Sequence, residues 1–131
     1  MEYKSLKGRV GRTNILYEGE KMDIEEFRNE YDKKLNEFGF KYALSEDRED
    51  EIIIHYEAED FEDKEKSIVL LFKINKKTGK IYVTAINYIK EKDLFKSYGI
   101  SFDELFDVLK ASYEKGKGFS VKKFIYNLVD R

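Results

Sequence analysis

The only histidine of the chain, His55, stands two residues before Glu57 and five before Asp60. A histidine beside a carboxylate is a common pairing for general acid–base catalysis, because imidazole changes its charge between about pH 5 and 8. His55 and Glu57 would, however, share one face of a predicted strand. The sequence supplies neither a nucleophile nor a group that would orient the ring. We therefore interpret His55 as a structural histidine and predict that the protein is not an enzyme.

The segment 46–65 carries eleven acidic residues against two basic ones, whereas the whole chain carries a net charge of −2. The residues outside this segment therefore carry a net charge of +7. Carboxylate oxygens are the ligands that calcium and magnesium prefer. The run Asp-Phe-Glu-Asp at 60–63 nevertheless lacks the alternating acidic ladder and the central glycine of an EF-hand loop. We expect neither a metal site nor a bound cofactor.

The segment 115–120, Lys-Gly-Lys-Gly-Phe-Ser, precedes a predicted helix, and the N–H groups at a helix start favour anions. Its spacing does not match a Walker A loop, which needs a Lys-Ser or Lys-Thr pair after the last glycine. Residues 117–121 also resemble half of an RNP1 motif. That motif lies on a strand in RNA-binding domains, whereas this segment enters a helix. We interpret it as a glycine hinge between two helices.

The acidic segment has two interpretations, a solvated rim or a docking face for a basic protein. Docking requires that the loops 46–50 and 59–65 converge at one edge of the fold. Such a face would steer association with a basic partner, for which a nucleic-acid-binding protein is the natural candidate. The candidate partner-binding residues are Glu46, Asp47, Glu49, Asp50, Glu51, Glu59, Asp60, Glu62 and Asp63.

An alternative function is direct nucleic-acid binding through basic residues with interleaved aromatic side chains. These basic residues are Lys4, Lys7, Arg9 and Arg12, then Lys73, Lys76, Lys77 and Lys80, and finally Lys122 and Lys123. The near-neutral net charge does not favour this alternative, because nucleic-acid-binding domains are commonly strongly basic. We therefore place it second, behind protein binding.

Composition favours one soluble domain over residues 1–131, since 131 residues is close to the commonest domain size. The chain has no cysteine, which fits a reducing compartment, and no apolar run long enough to cross a membrane. We expect a cytoplasmic location. Heavy use of Lys, Glu, Ile, Tyr and Phe, with no proline or tryptophan, is typical of AT-rich genomes. Together these features suggest a phage or mobile-element inhibitor, of the anti-CRISPR or immunity-protein kind.

The elements that would position these residues begin with an extended ribbon at 3–18, which either completes the sheet or reaches a partner chain. A helix follows at 23–38, with Asp23 and Glu26 spaced as a capping box and Gly39 as its stop. Apolar residues then recur at every second position, which predicts strands at 40–45, 51–58, 67–75 and 80–90. In the third strand the side chains that point to either face are apolar, so we expect this strand to be central and covered on both sides.

Two helices close the chain. Ser101 and Glu104 predict a capping box for the first, and Ser120 begins the second. We expect residues 91–98 to form a short helical turn that Gly99 ends, and Gly116 to end the helix that starts near Ser101. The sequence thus predicts an α+β fold in which a four-stranded antiparallel meander is packed by one preceding and two following helices.

Overall fold

A computed structural model of the protein describes residues 23–92 and 94–129. The ribbon predicted at 3–18 lies outside these described residues. The elements are α1 (Ile24–Glu37), β1 (Lys41–Asp47), β2 (Glu51–Glu59), β3 (Lys66–Asn75), β4 (Ile81–Ile89), β5 (Leu94–Ile100), α2 (Phe102–Ser112), β6 (Tyr113–Glu114), β7 (Gly118–Phe119) and α3 (Val121–Val129).

Helix α1 forms as its sequence predicts. The Asp23 carboxylate accepts a hydrogen bond from the Glu26 amide at 2.8 Å, and the Glu26 side chain accepts one from the Asp23 amide at 3.3 Å. These reciprocal bonds satisfy two of the amides that a helix start leaves without partners. At the other end Gly39 has a φ of +91°, so it supplies the left-handed conformation that ends the helix. The capping box and the stop are confirmed.

Five strands pair in sequence order as an antiparallel meander, with β3 in the centre. The α+β class and the meander are therefore confirmed, but the predicted count of four strands is one too low. The expected helical turn at 91–98 is wrong, because Leu94–Ile100 pairs with β4. Tyr98 and Ile100 alternate onto the core face opposite Ala85 and Val83. Burial at this two-residue period favours a strand over a helix.

One face of the sheet, called here the inner face, packs against all three helices. Its central side chains include Ile54, Tyr56, Leu70 and Phe72, each 0% exposed. They share a single core with the buried stripes of α1, α2 and α3. Burial of aromatic and aliphatic side chains on this scale is the main favourable term in folding. The helices therefore lie in one layer on one side of the sheet.

The connection between α2 and α3 differs from the expected glycine hinge. Helix α2 ends at Ser112, before Gly116, and the two-residue strands β6 and β7 then form a small hairpin. Gly116 lies in its turn with a φ of +83°, a conformation that glycine adopts without strain. Ser101 is the N-cap residue of α2, but its side chain makes no capping hydrogen bond. Among the described helices, none combines the length and apolar character of a membrane span.

Candidate functional site

The two acidic loops lie at opposite ends of the sheet. Strand β2 separates them, since the turn before it joins β1 and the turn after it joins β3. Nine residues of extended chain span about 27 Å. The loops 46–50 and 59–65 therefore do not converge at one edge, and the single docking face that would combine them is not formed. Antiparallel pairing of both hairpins is the physical reason.

At the first end, basic side chains approach several carboxylates of the β1–β2 turn. Arg48 Nε lies 2.8 Å from Glu46, and Arg48 Nη1 lies 3.4 Å from Glu51. The guanidinium lowers the pKa of Glu46, mainly through its hydrogen bond. Lys76 of the neighbouring β3–β4 turn lies 2.6 Å from Asp47.

At the same end of the sheet, the acidic β1–β2 turn lies beside the lysine-rich β3–β4 turn. The Lys76 amide donates to the carbonyl of Asp50 at 2.9 Å, so the β3–β4 turn touches the β1–β2 turn. Glu49 and Asp50 are exposed at the tip. The structure thus brings predicted acidic candidates and hairpin lysines together, and each reduces the field of the other.

At the second end, the β2–β3 turn holds the remaining candidates. Lys90 Nζ lies 2.9 Å from Glu59, and its hydrogen bond lowers the pKa of that carboxyl. Glu62 and Asp63 are exposed, and the Asp63 carboxylate accepts a hydrogen bond from the Glu65 amide at 3.0 Å. An exposed ion pair such as Lys90–Glu59 contributes little to stability, because water and salt screen its attraction.

Asp60 stands apart from the other candidates because it is buried, with 8% of its surface exposed. One carboxylate oxygen accepts hydrogen bonds from the amides of Glu62 and Asp63 at 3.0 and 2.9 Å. The other accepts one from the Val121 amide at 2.8 Å, at the start of α3. Asp60 therefore fixes a turn and caps a distant helix, and it is not available to a partner.

The sheet face opposite the helices, called here the outer face, carries a band of apolar side chains among polar and charged ones. Its apolar positions are Leu44, Ile53, Val69, Leu71, Tyr82, Ile86 and Tyr88. Antiparallel sheets that show one face to water commonly alternate apolar and polar residues, so seven apolar positions on this side of the sheet are more than simple alternation predicts. Leu44 and Tyr82 are 52% and 58% exposed. The sequence indicated this face because β3 has apolar residues at both alternating sets of positions.

His55 lies in the middle of the outer face. Its cross-strand neighbours are Leu44 and Leu71, and it is partly buried. Burial lowers the pKa of its imidazole, and the nearby Glu46 carboxylate opposes part of that effect. The ring thus has apolar residues on both sides across the strands, which is the setting of a packing residue.

Within residues 23–92 and 94–129, no group of three or more acidic or histidine side chains is arranged to hold a metal ion. No family model matches the chain, and no similar protein was found among curated proteins or solved structures. The geometry of the chain itself is therefore the basis for a functional proposal.

Proposed function

We propose that the protein is a non-enzymatic protein-binding module whose contact surface is the outer face of its sheet. The observation that supports this most is the apolar face described above, over which none of the three described helices lies. Two of its seven apolar positions are exposed, four are partly exposed and Ile53 is buried. Apolar side chains that reach the surface in one region can mark an interaction site. Leu44 and Tyr82, both more than half exposed, are the side chains through which a partner would make its first contacts.

The charges around this face indicate the chemistry of the partner. Outer-face positions of β1, β2 and β3 hold four carboxylates and two ammonium groups, and three of the carboxylates also lie beside Arg48 or Lys90; the outer-face residues are Glu46, Glu51, Glu57, Glu59, Lys41 and Lys73. The exposed carboxylates of the turns at the two ends of β2 are the charges that a basic protein would meet, since complementary charge steers the approach and suppresses wrong partners; they are Glu49, Asp50, Glu62 and Asp63. In this proposal the partner is a basic nucleic-acid-binding protein that the module inhibits.

Paired substitutions at exposed apolar residues test this function. In the first variant Leu44→Lys and Tyr82→Lys place two positive charges on the outer face. In the matched control Tyr126→Lys and Val129→Lys change two side chains of α3 with similar exposure, 64% and 61%. All four sites are solvent-exposed, so we expect each variant to stay within about 0.5 kcal/mol of the wild type in stability.

The measurement is quantitative affinity capture with the tagged full chain, followed by mass spectrometry. We expect one basic protein to be captured by the wild type and the α3 control and to be reduced at least tenfold with the outer-face variant. Equal capture by both variants would show that the outer face is not the contact surface. Capture that does not weaken as salt rises would contradict a basic partner, since screening weakens charge attraction.

A further inference from the structure

We propose that two copies of the chain pair through strand β5 and form a symmetric dimer in which their two five-stranded sheets become one. Strand β5 is the last strand of the meander, and within residues 23–92 and 94–129 no strand pairs with its other side. An edge strand presents a row of main-chain N–H and C=O groups to which another strand can bind. The dimer does not depend on the partner proposed above.

The two edges of the sheet differ in how well they resist such pairing. Strand β1, at the opposite edge, has a register shift between Tyr42 and Leu44, and three of its seven residues are charged. Bulges and charged residues are features by which proteins keep edge strands from pairing. Strand β5 keeps a regular register with β4 over all seven residues, and Lys96 is its one charged residue. The edge that is open to another strand is therefore that of β5.

The sequence of β5 is suited to antiparallel pairing with a second copy of itself. Pairing of all seven residues about a two-fold axis places Ser97 opposite Ser97, and Lys96 opposite Tyr98 of the second copy. Within one chain the Lys96 ammonium lies 5.4 Å from the centre of the Tyr98 ring. Directly opposite side chains contact each other, so each lysine would also reach the tyrosine of the other copy. Two small, neutral, exposed serines would meet at the axis.

This pairing would close the assembly at two copies. A two-fold contact uses the same edge of both copies and leaves no second β5 edge for a third. The joined sheet would end at both sides in β1, whose bulge and charges disfavour further pairing. Directly opposite residues point to the same side of a sheet, so the helices of both copies would lie on one side and both outer faces on the other.

Sedimentation equilibrium of the full chain, with one edge variant, tests the dimer. Ser97→Lys places two ammonium groups opposite each other at the axis, and because Ser97 is exposed we expect the variant to fold. The wild type should sediment at twice the monomer mass, and Ser97→Lys should weaken dimerisation at least tenfold. Ala43→Lys, at an exposed site on β1, is the matched control and should leave the dimer unchanged. A monomeric wild type, or equal dimerisation of the two variants, would overturn the proposal.

Single cysteines measure the register of the pair, since the chain has no cysteine of its own. Facing residues of antiparallel strands have Cα atoms about 4.5–5.5 Å apart, which is within the range that a disulfide spans. We expect Ser97→Cys to give a disulfide-linked dimer on mild oxidation. Gly99→Cys, with open space around its added Cβ, would stand about 13 Å from its counterpart and should stay unlinked. No linkage through position 97, or equal linkage through position 99, would overturn self-pairing of β5.

Amide hydrogen exchange reports on β5 without a crosslink. The outward-facing amides of β5 should exchange at least tenfold more slowly in the wild-type dimer than in Ser97→Lys, because pairing protects them from water. Equally slow exchange in a monomer would indicate a strand from the same chain at this edge and would overturn the dimer.

Discussion

Asp60 shows how far a single residue type can be interpreted from sequence. The sequence placed it in an acidic segment and made it a candidate for partner binding. In the structure its carboxylate serves three main-chain amides, and one of them belongs to Val121, 61 positions along the chain. The local pattern of an Asp before a polar turn was visible in the sequence. The distant helix start was not, because it depends on the tertiary packing of α3.

Replacing Asp60 with alanine should destabilise the protein. The change removes three hydrogen bonds from a buried acceptor and leaves the Val121 amide at the start of α3 without its partner. We expect a loss of about 2–3 kcal/mol in the free energy of unfolding, measured by urea denaturation. Glu62→Ala, an exposed neighbour in the same turn, is the control and should change stability by less than about 0.5 kcal/mol. Equal losses in both variants would contradict the capping role.

His55 should make stability depend on pH near neutrality. Burial lowers its folded-state pKa below the usual value, so the unfolded chain binds the proton more readily. The stabilising contribution is then complete above about pH 6.5 and declines as the pH falls through the folded-state pKa. Denaturation curves from pH 7.5 to 5.5 should show this decline in the wild type and a shallower one in His55→Gln. Parallel curves for the two proteins would refute it.

At the scale of elements, the sequence predicted the structures whose signals are local. Helix α1 has its capping box, its buried stripe and its stop within one short stretch. The hairpin between β3 and β4 has Gly79 at a φ of +76° where a positive value was expected. Strand β5 and the β6–β7 hairpin were missed. Both depend on partners elsewhere, since β5 pairs with β4 and the Phe119 carbonyl accepts a hydrogen bond from the Phe61 amide.

Gly118 should be essential to the β6–β7 hairpin. Its φ is +134°, and a Cβ there would lie 3.0 Å from the Cβ of Phe61. Gly118→Ala combines backbone strain with this close contact, so we expect a loss of about 1–3 kcal/mol in thermal or urea denaturation. Gly99→Ala is the matched control, since no atom lies within 4 Å of its added Cβ, and it should be close to neutral. A neutral Gly118→Ala would contradict the geometry of the hairpin.

At the scale of the whole molecule, the separation of charge along the sequence did not predict where the charges lie in the fold. Eleven acidic residues in twenty positions suggested one face. The meander places them at both ends of β2 and beside basic side chains such as Arg48, Lys76 and Lys90. Strand order and register decide this, and neither is encoded locally. The apolar residues on both faces of β3 predicted a central strand covered on both sides; β3 is central, but none of the described helices lies over its outer face.

Site-specific photo-crosslinking measures most directly whether the outer face contacts a partner. A photoactivatable residue replaces either Tyr82 on the outer face or Tyr126 on α3, which are 58% and 64% exposed. We expect irradiation in the cell to link the Tyr82 position to one basic protein and to give no such product from the Tyr126 position. The same adduct from both positions, or an adduct from Tyr126 alone, would contradict binding through the outer face.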